Sequence, residues 1–566
     1  MTTPAVTSPP AVVVPRQAAS LIVLRDSDQG PQVLLLRRAD KPGDQNSGAA
    51  VFPGGMLDRA DADAVHLCDG LDDASASARL GLNDGGLRYW IAAVRECFEE
   101  AGLLLARPLD GDQGLVALDA HGEPALTTLR RALHAGEIGL AEVCQRLGVR
   151  LALDELAYCA HWITPLGMPK IFDTRFFVTR MPAGQTALHD ATETVELLWL
   201  TPAQALDNAR GLKLMNVTTV TLKQLAGFAN VDAALSHAKA QTQVPINRPR
   251  LGLSADGKRA VTNLNDWPYA EIGRLDPDGK GDVCTALVPG RGVWLSPRVL
   301  RVTADNGSMM TGPGTNAYFI GAGDDWALLD PGPDDAAHVQ ALLAAAPGRI
   351  SRILVTHTHK DHSPAAQALA QATGAPTFGR VAEFPEWQDA SFQPTHVLSH
   401  GDRLALADGV TLRVIHTPGH ASNHLCYLLE EEKLLFTGDH LMQGSTVVIN
   451  PPDGNMRAYL KALEALLDVE LDWLAPGHGF LIDQPHSVVR KTIAHRLARE
   501  AKVLAALDGA GPERSLPEPE LLARVYADTP PKLHAMALRS LRAHLDKLVE
   551  EGKVAQRDGQ WQQLAA

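Results

Sequence analysis

The sequence predicts a multidomain α/β protein, and three observations carry that expectation. The chain has 566 residues, too many for one hydrophobic core, so roughly two to four domains are expected. Short apolar runs of strand type alternate with helical stretches from 297 to 480, and strand-like runs precede an amphipathic helix in the first half, the pattern of layered α/β domains. Between the halves, residues 240–290 are rich in Pro, Gly, Asn and Asp and have no long period, which marks a junction. Apolar residues make up 45% and charged residues 21% of the chain, so neither a disordered nor a membrane class is favoured. The net charge of −14 argues against non-specific nucleic-acid binding by long-range attraction. The six cysteines, Cys68, Cys97, Cys144, Cys159, Cys284 and Cys426, form no CxxC pair. That argues against a zinc ribbon and a disulfide framework and points to a reducing, cytoplasmic compartment.

In chain order, residues 1–17 read as a disordered tail with no signal-peptide pattern. No run approaches the ~18 apolar residues of a membrane span, so no membrane partner is expected. Residues 18–38 (AASLIVLRDSDQGPQVLLLRR) predict two strands and a polar turn. FPGG at 52–55 predicts a Gly-rich turn, and the Ala/Asp/Gly-rich stretch up to about residue 86 an inserted loop. In LRYWIAAVRECFEEAGLLL, Leu87, Ile91, Val94 and Phe98 recur at helical spacing, with Gly102 placed to stop the helix. The expected boundaries are an N-terminal domain over 18–235, a linker over 236–290, a second domain over 291–486 and a helical C-terminal segment over 487–566. That segment ends in a hairpin turning at Asp558-Gly559. There is no internal repeat.

The second domain carries a dense set of metal-ligand residue types. The apolar run SRILVT leads straight into His357, His359, Asp361 and His362. Alternate residues at a strand end point the same way, so His357 and His359 can share one cation while Asp361 and His362 hold a second. Imidazole and carboxylate are zinc's usual nitrogen and oxygen donors. Three more candidates stand beside glycines after strand-like runs: His420 in HTPGH, Asp439 in FTGDH and His478 in APGHG. Glycine lets the backbone turn sharply and approach closely there, and a carboxylate such as Asp439 can bridge two cations. One histidine alone reads as an ordinary surface or core residue; the ordered set does not.

On these motifs residues 290–485 resemble the metallo-β-lactamase superfamily. The resemblance implies a four-layer αββα sandwich and two Zn²⁺. It assigns His357, His359 and His420 to one metal and Asp361, His362 and His478 to the other, with Asp439 bridging. Metals so placed lower the pKa of water, making hydroxide available near neutral pH for attack on a carbonyl or phosphorus. Asp439 together with His362 is similar to the glyoxalase II and RNase Z side of the superfamily rather than to true lactamases. The segments 306–321 and 328–335, the metal motifs and the tail 528–554 resemble the β-lactamase-like protein 2 group of single-strand endoribonucleases. The tail is similar to that group's winged-helix-like segment. Leu533, Met536, Ala537, Leu541, Leu545 and Leu548 give it an apolar face. Residues 521–566 hold seven Lys/Arg and five Asp/Glu, net +2, which suits either an RNA guide or a plain helical cap. His424 is expected to orient a ligand or substrate, or to be an ordinary core or surface histidine.

In the first domain, AVRECFEEAG places Glu96, Glu99 and Glu100 at i, i+3 and i+4 on one helix face. A hard divalent cation would neutralise the three carboxylates and bridge substrate phosphates, and Arg95 is placed to tether one of them. With Gly55 and FPGG ahead of it, the string Arg95–Leu103 resembles the Nudix box. Two departures stand out: Asp61 where the family has Glu, and a 33-residue spacer over 62–94. Such an insert is similar to the branch that includes coenzyme A diphosphatases, whose approach resembles Gly48–Asp58. The resemblance implies an α/β/α sandwich over roughly 18–205 with Mg²⁺ or Mn²⁺. Glu96, Glu99 and Glu100 would be its ligands, and Glu193 or Glu196 a further ligand or base.

The functional expectation is a two-headed hydrolase. Asp361, Asp439, Glu99 and Glu100 are the catalytic candidates. The substrates expected are a nucleoside-diphosphate-linked small molecule, acyl-CoA or single-stranded RNA. An alternative makes the C-terminal head an acyl-CoA thioesterase and the Nudix half a non-catalytic nucleotide-binding module. A third, a nucleic-acid-binding protein worked by its tail, is opposed by the net charge.

Overall fold

The structure is a computed structural model that describes residues 14–40, 47–109, 114–121, 123–189, 194–385, 388–407, 409–508 and 515–564. It forms two compact units, Met1–Leu251 with Asp278–Lys280 and Gly252–Pro277 with Gly281–Ala566. Of the expected tail, residues 1–13 lie outside the described residues, and Arg16 already opens a strand.

In the first unit, the strands Arg16–Arg25 and Gln32–Arg38 pair antiparallel as expected, and Arg16–Arg25 also runs parallel to Phe172–Arg180. They belong to a nine-stranded sheet. Alternate residues serve opposite faces. Ala19, Leu21 and Val23 pack with Trp90, Val94 and Phe98 of the helix Leu87–Ala101. Ile22 and Leu24 pack with Leu222 and Leu225 of Asn216–Leu225 and with Ala234 of Val231–Ala240. The sheet is thus covered on both faces, an α/β/α sandwich. Gly102 ends the helix Leu87–Ala101 in the left-handed region, as the sequence predicted.

The stretch before that helix is not the loop expected. It forms the 3₁₀ helix Arg59–Leu67, the strand Cys68–Asp69 and the helix Asp73–Leu80. Asp58 and Asp72 cap the two helices, and Ala64, Ala76 and Leu80 join the core around Trp90. The capping aspartates made the stretch read as polar, and each helix is too short to show a period.

The expected linker 236–290 also carries regular structure. The helix Val231–Ala240 crosses its start, and the helix Tyr269–Leu275 belongs to the second unit. Glu271 receives two bonds from Arg301, at 2.7 and 2.8 Å, and one from the Leu481 amide at 2.7 Å. All of these groups are buried, so this stretch is part of the unit's interior.

The second unit has a seven-stranded and a five-stranded sheet. On Asn316–Ala322, Tyr318 and Ile320 face Val414, Tyr427 and Phe436 of the other sheet, while Ala317 and Phe319 face Leu342 and Leu369 of two helices. On the far side, Cys426 and Leu428 pack with Tyr459, Leu463 and Val489 of two further helices. These three apolar layers separate four structural layers in the order αββα. Beyond them, Val503, Leu521, Leu541, Leu545, Leu548 and Trp561 form a separate small core. It joins the helices Pro485–Asp508, Glu518–Val525 and His534–Glu550 to a three-stranded sheet, a winged helix. Val554–Arg557 and Gln560–Gln563 form the expected hairpin, with Asp558 and Gly559 both at positive φ. Of the expected apolar face of His534–Glu550, Ala537, Leu541, Leu545 and Leu548 are buried, whereas Leu533 and Met536 are half-buried. Among the described residues, no helix is long and apolar enough to cross a membrane.

Candidate metal centre

Seven ligand candidates reach one place because each stands just past the end of a strand. His357, His359, Asp361 and His362 follow Arg349–Leu354, and His420 follows Val410–His416. Asp439 directly follows Leu434–Gly438, and His478 follows Trp473–Pro476. Asn316 ties the two sheets together here. Its amide donates to the Gly477 carbonyl at 2.8 Å, and its side chain to the Pro476 and Gly479 carbonyls at 3.0 and 2.8 Å. Gly477 is required by closeness: a Cβ there would lie 2.7 Å from the His362 ring and 2.8 Å from an Asp439 oxygen.

The ligand atoms fall into two groups, each within 4.8 Å of one another: His357, His359 and His420, and Asp361, His362, Asp439 and His478. In the first, His359 Nδ1 lies 3.0 Å from both His357 Nε2 and His420 Nε2. In the second, His478 Nε2 lies 3.3 Å from both Asp361 Oδ2 and Asp439 Oδ1, and His362 Nε2 lies 3.4 Å from Asp439 Oδ1. The other Asp439 oxygen lies 3.6 Å from His420 Nε2 in the first group. Asp439 therefore offers one oxygen to each group.

The donor set fits a pair of cations. Three converging imidazole nitrogens cannot satisfy one another as hydrogen bonds, and His362 Nε2, His478 Nε2 and Asp439 Oδ1 are buried without any hydrogen-bond partner. Burial, reinforced by His362 and His359, holds His357 well below the usual imidazole range, so its nitrogen lone pair stays free. Burial and His420 likewise take His359 down to about 3. Burial would depress His478 too, but Asp439 and Asp361 lift it to about 9. A cation between these carboxylates supplies the positive charge that a proton on His478 otherwise provides.

Each of three imidazoles is held by its other nitrogen. His420 Nδ1 donates to the Val448 carbonyl at 2.7 Å and His478 Nδ1 to the Gly314 carbonyl at 3.2 Å. His362 Nδ1 meets Asp330 Oδ2 at 3.0 Å. Asp330, which the sequence reading passed over inside LLDPGPDD, also accepts from the Thr356 amide at 2.7 Å and the Thr356 hydroxyl at 2.8 Å. It is buried with φ of +50°. Asn tolerates that backbone conformation, so Asp330→Asn should keep the fold yet lower metal affinity about 10–100-fold. Competition against a chelator of known affinity measures this, and unchanged affinity would refute the role. His424 is fully buried beneath the site rather than in it. Its Nε2 accepts from the Asp439 amide at 3.2 Å, and its Nδ1 meets the Thr417 hydroxyl at 2.9 Å.

In the first unit, Arg95 gathers the carboxylates. It bonds Asp61 at 2.7 Å, Glu96 at 2.8 Å, Glu99 at 3.2 Å and the Met56 carbonyl at 2.8 Å. Asp61 is fully buried, and its pair with Arg95 draws together the two ends of the long insert. Glu100 turns elsewhere and accepts from the Gly54 amide at 2.9 Å. The three glutamates are therefore not drawn within 4.8 Å of one another as the C-terminal groups are. Burial raises Glu96 to about 7 against the pull of Arg95, which marks a site short of positive charge. A Cβ on Gly55 would lie 2.3 Å from the Glu96 carboxylate, so glycine there lets the strand pass over it. Glu196 is half-exposed and engaged by Arg37 at 2.9 Å; Glu193 lies outside the described residues.

A cleft of about 260 Å³ opens over the C-terminal cluster, with His359, Asp361, His420 and Asp439 in its wall. Met310, Asn450 and Arg539 also line it. In the first unit, a cleft of about 300 Å³ lies over Gly54 and Gly55, walled by Phe52, Phe172, Phe176 and Met215.

Three family profiles match the chain. Residues 83–215 match the NUDT19 Nudix domain, 310–478 the metallo-beta-lactamase superfamily and 518–561 the beta-lactamase associated winged helix domain. A Drosophila melanogaster beta-lactamase-like protein 2 homolog is 32% identical over 280 residues, 48% of this chain and 93% of the relative. An atrochrysone carboxyl ACP thioesterase of Aspergillus fumigatus is 31% identical over 229 residues, 39% of this chain and 68% of the relative. Among solved structures, a metallo-beta-lactamase family protein of Thermus thermophilus is similar at 24% identity and a TM-score of 0.41, over 48% of this chain and all of its own. A NUDIX hydrolase of Alicyclobacillus acidocaldarius is similar at 28% identity and a TM-score of 0.32, over 40% of this chain and 97% of its own.

Proposed function

This chain belongs to the metallo-β-lactamase superfamily, as a hydrolase fused to a Nudix domain, and from that premise we propose that its C-terminal unit hydrolyses acyl-thioesters of the coenzyme A kind. The observation that carries the reading is Asp439, which offers one oxygen to each of two ligand groups. We assign His357, His359 and His420 to one Zn²⁺, and Asp361, His362 and His478 to the other, with Asp439 between them. Bound there, the metals would supply hydroxide near neutral pH and stabilise negative charge developing on the carbonyl oxygen. Water adds to the thioester carbon, the C–S bond breaks, and carboxylic acid and thiol leave. Two considerations favour thioester over RNA. A relative at 31% identity is named a thioesterase. The winged helix also spends its cations internally: Arg524 pairs with Glu520, Arg542 with Glu518, and Lys547 with Glu500. Those pairings lower the charge free to meet a phosphate backbone.

We assign the N-terminal unit, residues 18–235, cleavage of a nucleoside diphosphate linkage, with Glu96, Glu99 and Glu100 as Mg²⁺ or Mn²⁺ ligands. The competing role, a nucleotide-binding module without catalysis, draws on the engagement of Glu96 and Glu99 by Arg95. One experiment addresses both units: incubation of the protein with butyryl-CoA, Zn²⁺ and Mg²⁺, products identified by mass spectrometry. Free coenzyme A is the expected C-terminal product, and acyl-phosphopantetheine with adenosine bisphosphate the expected N-terminal one. Glu99→Gln with Glu100→Gln should remove the second pair of products by at least about 100-fold and leave the first. Intact butyryl-CoA would overturn the thioester reading and make single-stranded RNA the substrate to test. Thioester cleavage without diphosphate cleavage would establish the module role.

A further inference from the structure

The metal cleft is not walled by the αββα sandwich alone. Arg539, on the winged-helix element His534–Glu550, also lines it. The helix presents two different faces. Ala537, Leu541, Leu545 and Leu548 lie in the small core of the winged helix. Ala543, one turn beyond Arg539, instead packs in the layer of Tyr459, Leu463 and Val489 that covers the second sheet. Farther along the same face, Glu550 accepts from Asn455 at 3.3 Å and pairs with Arg457 at 3.5 Å. The stripe that carries Arg539 is thus the docked stripe, and docking delivers the side chain to the cleft.

Arg539 is exposed and, among the described residues, has no hydrogen-bond or ion-pair partner. Other cations of the winged helix are engaged: Arg542 by Glu518, Arg499 by Asp528 and Lys547 by Glu500. Nor does the one acid of the cleft wall outside the ligand set claim it. Asp453 is satisfied by the Ser422 hydroxyl and by the Gln388 side chain, the latter at 2.8 Å. Every other charged side chain lining the cleft is acidic or is assigned here to metal. A guanidinium presents a rigid fork matched to carboxylate or phosphate, and here it lines the same cleft as His359, Asp361, His420 and Asp439. Met310, half-exposed, supplies an apolar wall.

We propose that Arg539 is a substrate-positioning residue that clamps an anionic group of the thioester substrate while the scissile carbonyl lies over the metal ligands. The winged helix then acts as a selectivity element of the hydrolase site. The inference rests on the thioester reading above. The anion has two possible sources, the 4′-phosphate on the thiol side or a carboxylate on the acyl side.

The test is equilibrium binding to the zinc-loaded full-length protein of three uncleavable thioethers. These are neutral S-butylpantetheine, S-butyl-4′-phosphopantetheine and S-(3-carboxypropyl)pantetheine. None contains the nucleoside diphosphate that the N-terminal unit would take. One anionic probe should bind about 10–100-fold more tightly than the neutral probe. That advantage should vanish in Arg539→Ala and survive in part in Arg539→Lys. The probe that shows it identifies phosphate or carboxylate as the clamped group. On the corresponding thioesters, Arg539→Ala should raise KM more than it lowers kcat. Equal binding of the anionic probes to the wild type and Arg539→Ala would overturn the clamp and leave the thioester reading intact. If no probe binds and no thioester is cleaved, the thioester reading falls and the clamp with it.

Discussion

Asp439→Asn should reduce hydrolysis at the C-terminal site by a factor on the order of 10³ or more while leaving the fold in place. Asn has the same shape, and the backbone amide at position 439 would still donate to His424, as it does now at 3.2 Å. What changes is charge and donor count. Asp439 is buried, and His478 and His362 hold its carboxyl well below the ordinary range against the opposing effect of burial. It is therefore the negative charge shared by the two ligand groups, one oxygen facing each. With an amide in its place, one ligand group loses its oxygen, and the other retains Asp361 as its only carboxylate. The metal content measured by plasma mass spectrometry should fall from about two to about one per chain. Retention of two metals with kcat within about threefold of the wild type would show that Asp439 does not bridge.

The ligand candidates that cluster were legible because each is a chemically distinctive residue placed at the end of an apolar run, where local sequence sets direction. What supports them was not. Asp330 acts on His362, 32 residues away in sequence, from a left-handed backbone conformation that no local pattern announces. Asn316 joins the sheets through carbonyls about 160 residues distant. The αββα and α/β/α layers were inferred from resemblance, and the core residues explain them: Tyr318 and Phe319 are neighbours in sequence yet serve different layers. The insert and the linker were misread for one shared reason. Short helices such as Asp73–Leu80 and Tyr269–Leu275 bury only two or three side chains each, too few for a period to emerge from Gly, Asp and Pro. In the Nudix box the substitution by Asp61 read as a departure, because sequence alone could not show that the 3₁₀ helix Arg59–Leu67 carries the shorter carboxylate up to Arg95.

That pair makes the second large prediction. Asp61→Ala should destabilise the N-terminal unit by about 3 kcal/mol, at the low end of the ~3–5 kcal/mol for breaking a buried ion pair. Two facts set the size. Asp61 is fully buried and accepts from the Asp58 amide at 2.7 Å as well as from Arg95, so its loss also opens the cap of Arg59–Leu67. Arg95 would not be orphaned, since Glu96 and Glu99 still flank it at 2.8 and 3.2 Å, which keeps the cost from rising further. The same residual pairing carries a functional consequence. Without Asp61, the only carboxylates left to Arg95 are Glu96 and Glu99, the two proposed above as cation ligands, so cation affinity at the N-terminal site should fall along with stability. Hydrogen exchange localises the effect to the right unit. The helix Leu87–Ala101 should lose protection, while Leu425–Leu429 in the other unit keeps its own. Unchanged exchange across Leu87–Ala101 would mean that the insert, rather than the Asp61–Arg95 pair, holds this helix in place.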